Sequence, residues 1–364
     1  MKGKILLRGA HQLLTLRGSS SPRRGGDLRD LSIIKDGAVL IENGVILEVG
    51  PSRRLERLAD ARSIREIDAS GCVVMPGLVD PHTHLMDELG TRQRSWTTTR
   101  IRTELRARLG WFVRHGTTTV GTKSDNSRDA RLLSALDGSP LDIVTRFQIA
   151  TSEVIKEIPR SVRFVSIPGE DGLILESRAR ALLLAARASG FAITLQGPAF
   201  ARLGVELGAT MLSHLEECSP SDLEVLAASS TILALLPGSS YRKRWRFGPG
   251  RRLVEKGAAI TLATDFSPET PRTASLAMIL SLACANFGLT VDEAVSAATI
   301  NAAHAVGLAR VVGSLEVGKQ ADIIMLDTTD YRDLPGCFGT NLVKMTMKRG
   351  NILYQERDIQ WPND

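Results

Sequence analysis

The middle of the chain alternates short apolar runs with helical patterns, and this alternation constrains the fold more than any other feature. Residues 176–190 and 275–288 are typical of the separating helical segments, although residues 151–161 leave room for little more than a short helix. Eight strands that alternate with helices predict an α/β fold, a (β/α)8 TIM barrel, over residues 77–306. The eight apolar, β-branched runs are "GLVDPHTHL", "TTTVGTKS", "IVTRFQIA", "VRFVSIPG", "FAITLQGP", "ATMLSHLE", "STILALLPG" and "AAITLATDF".

Both ends of the chain have a different, β-rich character. The stretch "AVLIENGVILEVG" holds two apolar runs joined by Asn43-Gly44, a strong signal for a two-residue hairpin turn. Near the other end, "GSLEVGKQADIIMLD" and "VKMTMKRGNILYQ" are again strand-like. We therefore expect residues 1–76 and 307–364 to form one small β-sandwich domain that the barrel interrupts.

Composition limits the class of protein. Hydrophobic residues at 43% and charged residues at 24% are ordinary for a globular chain, and the net charge of +6 is spread along the sequence. No apolar run reaches the roughly 18 residues that a membrane span needs. The N-terminal apolar stretch is interrupted by Arg8, His11 and Gln12, which argues against a signal peptide. The four cysteines are widely scattered, as in a reduced protein, so we expect a cytoplasmic protein without membrane association, compatible with a homodimer.

Candidate functional side chains follow the predicted strands at their carboxyl ends, where such barrels carry their active sites. The first run ends in His82 and His84, which are two residues apart and therefore point to the same side of a strand. The sixth run ends in His214 and the eighth in Asp265. Each has a structural alternative. His82 and His84 could be polar residues of a turn, His214 could be a packed histidine, and Asp265 could be a helix N-cap. Together they indicate a site for one divalent metal, with zinc expected and iron or manganese as the other candidates.

Such a site predicts a hydrolytic mechanism. A divalent ion with an open coordination position lowers the pKa of a bound water towards about 7. Asp265 could then accept the proton of that water, and His214 could hydrogen-bond the developing oxyanion. We therefore expect Asp265 and His214 to be the catalytic residues.

Several motifs resemble those of the amidohydrolase superfamily and, within it, of imidazolonepropionase, an enzyme of histidine degradation. They are spread over nearly the whole chain: "DASGCVVMPGLVDPHTHL", "HGTTTVGTKS", "LLPG", "TDFSP", "NAAHAVGL" and "GSLEVGKQADIIMLD". The resemblance implies that His82, His84 and Asp265 are metal ligands and that His214 is the active-site histidine of the sixth strand. It also implies hydrolysis of a C–N bond in a small cyclic amide, with a deaminase as a variant of the same chemistry.

The sequence departs from this family at several positions. Gln196 stands where the resemblance implies a histidine ligand on the fifth strand, and Ala199 stands where it implies a glutamate that contacts substrate. The third run lacks the substrate-facing histidine, and Asp125-Asn126 replaces a glycine-tyrosine pair. The segment after His84 is shorter than in the family. A neutral amide oxygen is a poorer donor than imidazole for zinc-like ions, so Gln196 is a weak fourth ligand candidate.

Basic residues suggest an anionic substrate. Residues 241–252, "YRKRWRFGPGRR", pack six basic residues around Trp245 and Phe247 directly after the seventh run. Such a segment can bind nucleic acid, can be a solvated loop, or can attract a small carboxylate. Its expected place at the barrel mouth favours the carboxylate, and no nucleic-acid partner is expected. Arg100 and Lys123 are candidate carboxylate-binding residues, with a merely structural role as the alternative for Lys123.

The leading hypothesis is therefore a metal-dependent amidohydrolase acting on a small, carboxylate-bearing cyclic amide. The alternative is a non-catalytic homologue that keeps the fold as a binding or interaction protein. The glutamine at position 196 and the alanine at position 199 motivate that alternative, whereas the four candidate active-site residues oppose it.

Overall fold

The computed structural model describes most of the chain. The described residues are 3–18, 20–58, 64–87, 89, 96–136, 139–167, 174–243, 248–267 and 272–356.

Strands and helices alternate through the middle of the molecule, and strands dominate at both ends. The strands are β1 Lys4–Leu14, β2 Ile33–Glu42, β3 Val45–Pro51, β4 Ile64–Asp68, β5 Val73–Pro76, β6 Leu78–Thr83, β7 Thr117–Ser124, β8 Asp142–Gln148, β9 Phe164–Ser166, β10 Ala192–Gln196, β11 Met211–Ser213, β12 Ile232–Leu235, β13 Ala259–Leu262, β14 Ile323–Leu326, β15 Val343–Lys348 and β16 Asn351–Gln355. The helices are α1 Ser52–Leu58, α2 Thr98–Arg114, α3 Ser127–Ser134, α4 Glu176–Ala188, α5 Ala201–Glu206, α6 Pro220–Ala228, α7 Pro237–Lys243, α8 Gly250–Glu255, α9 Leu276–Phe287, α10 Val291–Ala297, α11 Ile300–Ala305 and α12 Asp333–Gly336. Short 3₁₀ segments lie at Gly25–Arg29, Glu153–Glu157 and Pro198–Phe200.

Strands β6 to β13 form a parallel barrel in which each strand pairs with the next along the chain. A parallel bridge between Thr83 and Phe266 connects the first barrel strand to the segment after the eighth. The predicted (β/α)8 fold is confirmed, and each of the eight predicted runs contains one barrel strand. The connection between the third and fourth strands holds only the 3₁₀ segment Glu153–Glu157, as the short sequence there indicated.

The two chain ends share one mixed sheet, with the strand order β16-β15-β14-β5-β1-β2-β3 and with β4 beside β1. Asn43 and Gly44 have φ values of 54° and 83° and turn the chain between β2 and β3. A Cβ on Gly44 would come within 2.5 Å of the carbonyl oxygen of Arg349, so this turn packs against the β15–β16 turn and requires glycine. The small domain built from both ends is thereby confirmed, while its limits at residues 76 and 307 stay a prediction.

Local sequence explains where the outer helices begin and end. Helix α9 begins after Ser275, whose Oγ accepts a hydrogen bond from the backbone N–H of Met278, and ends at Gly288 with a φ of 67°. Helix α10 begins with a capping box, in which Thr290 and Glu293 each bond the other's backbone. Both helices are apolar on the side that packs on the barrel.

No helix in the described part of the chain has the length and apolarity that crossing a membrane requires. The cytoplasmic location and the homodimer stay predictions.

Candidate active site

The first barrel strand, β6, brings two histidines to a single carboxylate. Nε2 of His84 lies 3.2 Å from Oδ1 of Asp265, and Nε2 of His82 lies 3.4 Å from the same oxygen. The His82 side chain is fully buried, whereas that of His84 is 13% exposed. The spacing of two residues therefore places both rings on one side of the strand, as the sequence predicted.

Backbone contacts hold these elements together where the barrel closes. The N–H of His84 donates to the carbonyl of Phe266 at 2.7 Å, and the N–H of Asp265 donates to the carbonyl of His82 at 3.1 Å. Asp265 and His214 both adopt left-handed backbone conformations, with φ values of 52° and 58°. Such conformations are costly for residues other than glycine and are concentrated at functional sites.

His214, at the end of β11, completes a compact cluster with His82 and Asp265. Potential ligand atoms of the three residues all lie within 4.8 Å of one another, and the His82 and His214 ring centroids are 5.6 Å apart. Nδ1 of His82 is buried without a partner among the described residues, and Nε2 makes only the 3.4 Å contact with Oδ1 of Asp265, which lacks hydrogen-bond geometry. Burial, reinforced by the positive charge of Arg146, holds the pKa of His82 well below its usual value. A neutral imidazole with an unpartnered nitrogen is what a metal ligand requires, so these residues fit a divalent ion.

Asp265 is held at both of its oxygens. While Oδ1 faces the two histidines, Oδ2 accepts a hydrogen bond from Oγ of Ser239 in helix α7. Burial alone would raise the pKa of Asp265, but polar contacts with His82 and His84 outweigh it and hold the pKa well below its usual range. Asp265 is therefore an anionic group. Sequence reasoning missed Ser239, although it directly follows the "LLPG" motif.

A second buried carboxyl group lies next to the cluster. Asp80 accepts hydrogen bonds from Oγ1 of Thr264 at 2.5 Å and from the backbone N–H groups of Thr264 and His82, both at 3.3 Å. Burial raises the pKa of Asp80 to about 7, although these hydrogen bonds oppose the shift. Asp80 thus connects β6 to the segment after β13. Its position two residues before His82 on the same strand was the signal that sequence reasoning overlooked.

Two other predicted residues lie at strand ends. Gln196 is buried at the end of β10, in register with Ser213, the residue before His214. Lys123 lies near the end of β7, and its Nζ is 3.4 Å from Oδ1 of Asp125, with 23% of the side chain exposed. Metal binding by Gln196 and substrate binding by Lys123 stay predictions.

Arg100 has a different setting from the other predicted site residues. It lies in the first turn of α2, is exposed, and places its guanidinium carbon 4.0 Å from the ring centroid of Trp96.

The basic-aromatic segment 241–252 falls partly outside the described residues, because 244–247 are not among them. The role predicted for it stays a prediction.

A cavity of about 490 Å³ is lined in part by residues that neighbour Ser239 in sequence or contact Phe266. The ring of Phe266, next to Asp265, contacts Trp111 in this cavity wall edge-on, with the centroids 6.1 Å apart. Gly238, next to Ser239, also lines it. The residues that line the cavity are Trp111, His115, Gly238, Tyr241, Arg272, Thr273, Ala274, Met278 and Leu282. No residue of the cluster itself lines this cavity.

Comparison with known proteins identifies the family. An imidazolonepropionase from Geobacillus kaustophilus is 34% identical over 420 aligned residues, which cover 98% of this chain and 99% of that protein. Residues 200–353 match the amidohydrolase family. The chain belongs to the amidohydrolase family. A second imidazolonepropionase, from Parabacteroides distasonis, is 32% identical to this amidohydrolase and covers 96% of it. The family resemblance inferred from the sequence motifs is confirmed, and it makes the chain a hydrolase of the class that acts on C–N bonds.

Solved structures support the fold of this amidohydrolase. Guanine deaminase from E. coli matches with a TM-score of 0.78 and 15% identity over 98% of this chain and all of that one. An adenosine deaminase from Xanthomonas campestris, solved with bound zinc, matches with a TM-score of 0.71, 15% identity, and coverage of 98% and 94%. At these identities the likeness concerns the architecture alone.

Proposed function

We propose that this amidohydrolase is metal-dependent and hydrolyses a C–N bond of a small cyclic amide that carries a carboxylate. The names of its curated relatives suggest the substrate class, an imidazolone ring with a propionate arm. The observation that carries the proposal is the convergence of His82, His84, His214 and Asp265 at the carboxyl ends of three barrel strands.

His82, His84 and Asp265 would hold the metal, with Gln196 as a neutral fourth ligand. A divalent ion in such a site activates water and polarises the substrate carbonyl. The chain supplies suitable groups, because the imidazole of His82, whose Nδ1 has no partner among the described residues, and the ionised carboxylate of Asp265 are both buried.

The remaining steps use side chains of the protein. Asp265 accepts the proton of the attacking water and returns it to the leaving nitrogen. Ser239 orients Asp265 by occupying Oδ2, which leaves Oδ1 turned towards the histidines. His214 donates a hydrogen bond to the oxyanion that forms on the substrate. Burial of this cluster strengthens each of these interactions, because little water is present to screen them.

The non-catalytic alternative accounts less well for the cluster. A protein that merely keeps the fold gains nothing from burying Nδ1 of His82 without a partner, because an unpaired buried polar group costs about 1–3 kcal/mol. Two left-handed residues in the same cluster add backbone strain. A bound metal and substrate would compensate for both costs.

The test begins with elemental analysis of the purified full chain after dialysis without chelator. We expect close to one zinc, iron or manganese ion per chain, and hydrolysis of an imidazolone propionate by the metal-loaded protein. Absence of metal even after reconstitution would contradict the proposal and favour the binding-protein alternative.

The variant Asp265→Asn tests the assigned proton acceptor. We expect it to abolish turnover while thermal unfolding shows an intact fold. The matched control Asp327→Asn removes an exposed carboxylate, paired with Lys344 at 3.0 Å, and should retain activity. Undiminished turnover in Asp265→Asn would contradict the proposed mechanism.

A further inference from the structure

Arg146 lies on the third barrel strand, β8, and is buried with only 5% of its surface exposed. Its register neighbours are Lys123 on β7 and Phe164 on β9. Its Nε and Nη2 atoms have no hydrogen-bond partner, and no carboxylate pairs with its guanidinium, among the residues that the structure describes. A buried guanidinium with two unpaired nitrogens is a rare and costly arrangement.

Strand register places Arg146 level with the active-site cluster. Thr83, which lies between His82 and His84, pairs with Thr122 on β7, and the next residue of β7, Lys123, pairs with Arg146. Burial lowers the pKa of Arg146 only to about 10, so the group stays protonated at neutral pH. Arg146 is therefore a fixed positive charge within the electrostatic range of the cluster.

Two other buried arginines of this chain donate hydrogen bonds to backbone carbonyl groups. Arg23, which is 6% exposed, donates through Nη2 to the carbonyls of Leu16 and Arg17, both at 2.9 Å. Arg108, also 6% exposed, donates to the carbonyls of Leu85 at 2.7 Å and Asp87 at 3.0 Å. The fold thus supplies acceptors for these two guanidinium groups. For Nε and Nη2 of Arg146 the described residues supply no acceptor.

We propose that Arg146 binds the carboxylate of the substrate and determines the preference for anionic substrates. This inference rests on the proposed function, since it assigns the anion-binding residue of the same site. A guanidinium presents parallel N–H donors that match the two oxygens of a carboxylate. The other two candidates are less suited, because Lys123 is paired with Asp125 and Arg100 is exposed over Trp96.

The arrangement has a consequence for selectivity. With a divalent ion bound, the site would carry the charges of the ion and of Arg146 against the carboxylate of Asp265 and the partly ionised carboxyl group of Asp80. An anionic substrate reduces this excess, whereas an uncharged isostere leaves Nε and Nη2 of Arg146 buried and unpaired. Selectivity therefore comes from the cost of an unpaired buried charge as much as from the new contact.

The experiment measures binding to the metal-loaded full chain by calorimetry. The probes are imidazole-4-propionate and its uncharged counterpart imidazole-4-propionamide. We expect the wild type to prefer the acid at least tenfold and Arg146→Gln to reduce that preference below threefold. The control Arg202→Gln, which removes an exposed guanidinium paired with Asp222, should keep the wild-type ratio.

Three outcomes would overturn the inference. They are equal or absent binding of the acid by the wild type, an unchanged ratio in Arg146→Gln, and loss of the ratio in Lys123→Gln alone. If Arg146→Gln does not fold, Arg146→Lys decides, because it keeps the charge but not the parallel donors. We then expect the preference to fall at least threefold, and an unchanged preference would overturn the inference.

Turnover measurements separate this inference from the proposed function. Binding of the acid through Arg146 without hydrolysis of any cyclic amide would refute the function and leave the anion site standing. Hydrolysis with an undiminished acid preference in Arg146→Gln would refute only the role of Arg146.

Discussion

The Oγ of Ser239 donates a hydrogen bond to Oδ2 of Asp265, while Oδ1 of the same carboxylate faces Nε2 of His82 and of His84. The two oxygens of Asp265 therefore have different tasks: one is fixed by the helix after the seventh strand, and the other is turned towards the histidines. A carboxylate held at one oxygen cannot rotate freely, and this orients the group that we propose as the proton acceptor.

Ser239→Ala should lower kcat by about 10- to 100-fold with a smaller effect on KM, since a hydrogen bond to a charged group contributes about 1.5–3 kcal/mol. Steady-state kinetics on the metal-loaded enzyme measures this effect. Ser240→Ala is the matched control, because Ser240 is equally buried but donates to the carbonyl of Leu236 at 3.3 Å and to Oε1 of Glu216 at 3.5 Å rather than to Asp265. A similar loss in both variants would show that the effect is one of packing.

The periodic parts of the fold could be predicted from the sequence. The hairpin at Asn43-Gly44 requires positive φ values, and the dipeptide itself signals them. His82 and His84 follow a buried strand at a spacing that fixes their common side, so their approach to Asp265 was predictable once the barrel was recognised.

Contacts that depend on the bend of a loop could not be predicted. Ser239 reaches Asp265 because a helix begins directly after β12, and its sequence carries no signal for that contact. In the sequence, Arg146 resembled an ordinary polar residue of the third strand. That its Nε and Nη2 are buried without an acceptor depends on which side chains surround it in the folded barrel. The family resemblance did not indicate it either.

Gln196→His should raise the affinity for zinc at least about tenfold, since imidazole is a better donor than an amide oxygen, and changes even beyond the first ligands alter affinity by about 10- to 100-fold. Competition with a chelator measures the change. Gln196→Leu is the matched control and should weaken binding. Unchanged affinity in both variants would mean that the side chain at position 196 does not face the metal.

Asp80 should make the stability of the chelator-treated protein depend on pH. Its pKa is about 7 in the folded state and about 3.9 in an unfolded chain, so the folded state binds the proton more tightly. The contribution is present in full below the unfolded pKa and is lost as the pH rises through 7. Relative to Asp80→Asn, the wild type should therefore lose up to about 3 kcal/mol in its free energy of unfolding between pH 5 and 8, at about 1.4 kcal/mol per pH unit.

Urea unfolding at several pH values measures this difference. Asp327→Asn removes an exposed carboxylate and should give a stability curve parallel to that of the wild type. If the curves of Asp80→Asn and the wild type are also parallel, the carboxyl group of Asp80 does not change its proton affinity on folding.

Lys348 should connect the chain-end sheet to the barrel through a buried charge network. Its Nζ lies 2.5 Å from Oδ2 of Asp322, which precedes β14, and 2.6 Å from Oδ2 of Asp142 at the start of β8. Lys348→Met leaves Asp322 buried without its counter-charge, so we expect the free energy of unfolding to fall by about 3–5 kcal/mol. Urea denaturation measures the loss.

The double variant Lys348→Met with Asp322→Asn separates two causes of destabilisation. One is the lost attraction between Lys348 and the carboxylates, and the other is the burial of an unpaired Asp322 carboxylate. Because no uncompensated charge then remains at position 322, the double variant should recover a large part of the stability. Lys344→Met removes an exposed lysine, 3.0 Å from Asp327, and should cost less than about 1 kcal/mol. Wild-type stability in Lys348→Met would mean that the network does not hold the two parts of the molecule together. A double variant no more stable than the single one would place the cost in the packing of the lysine stem.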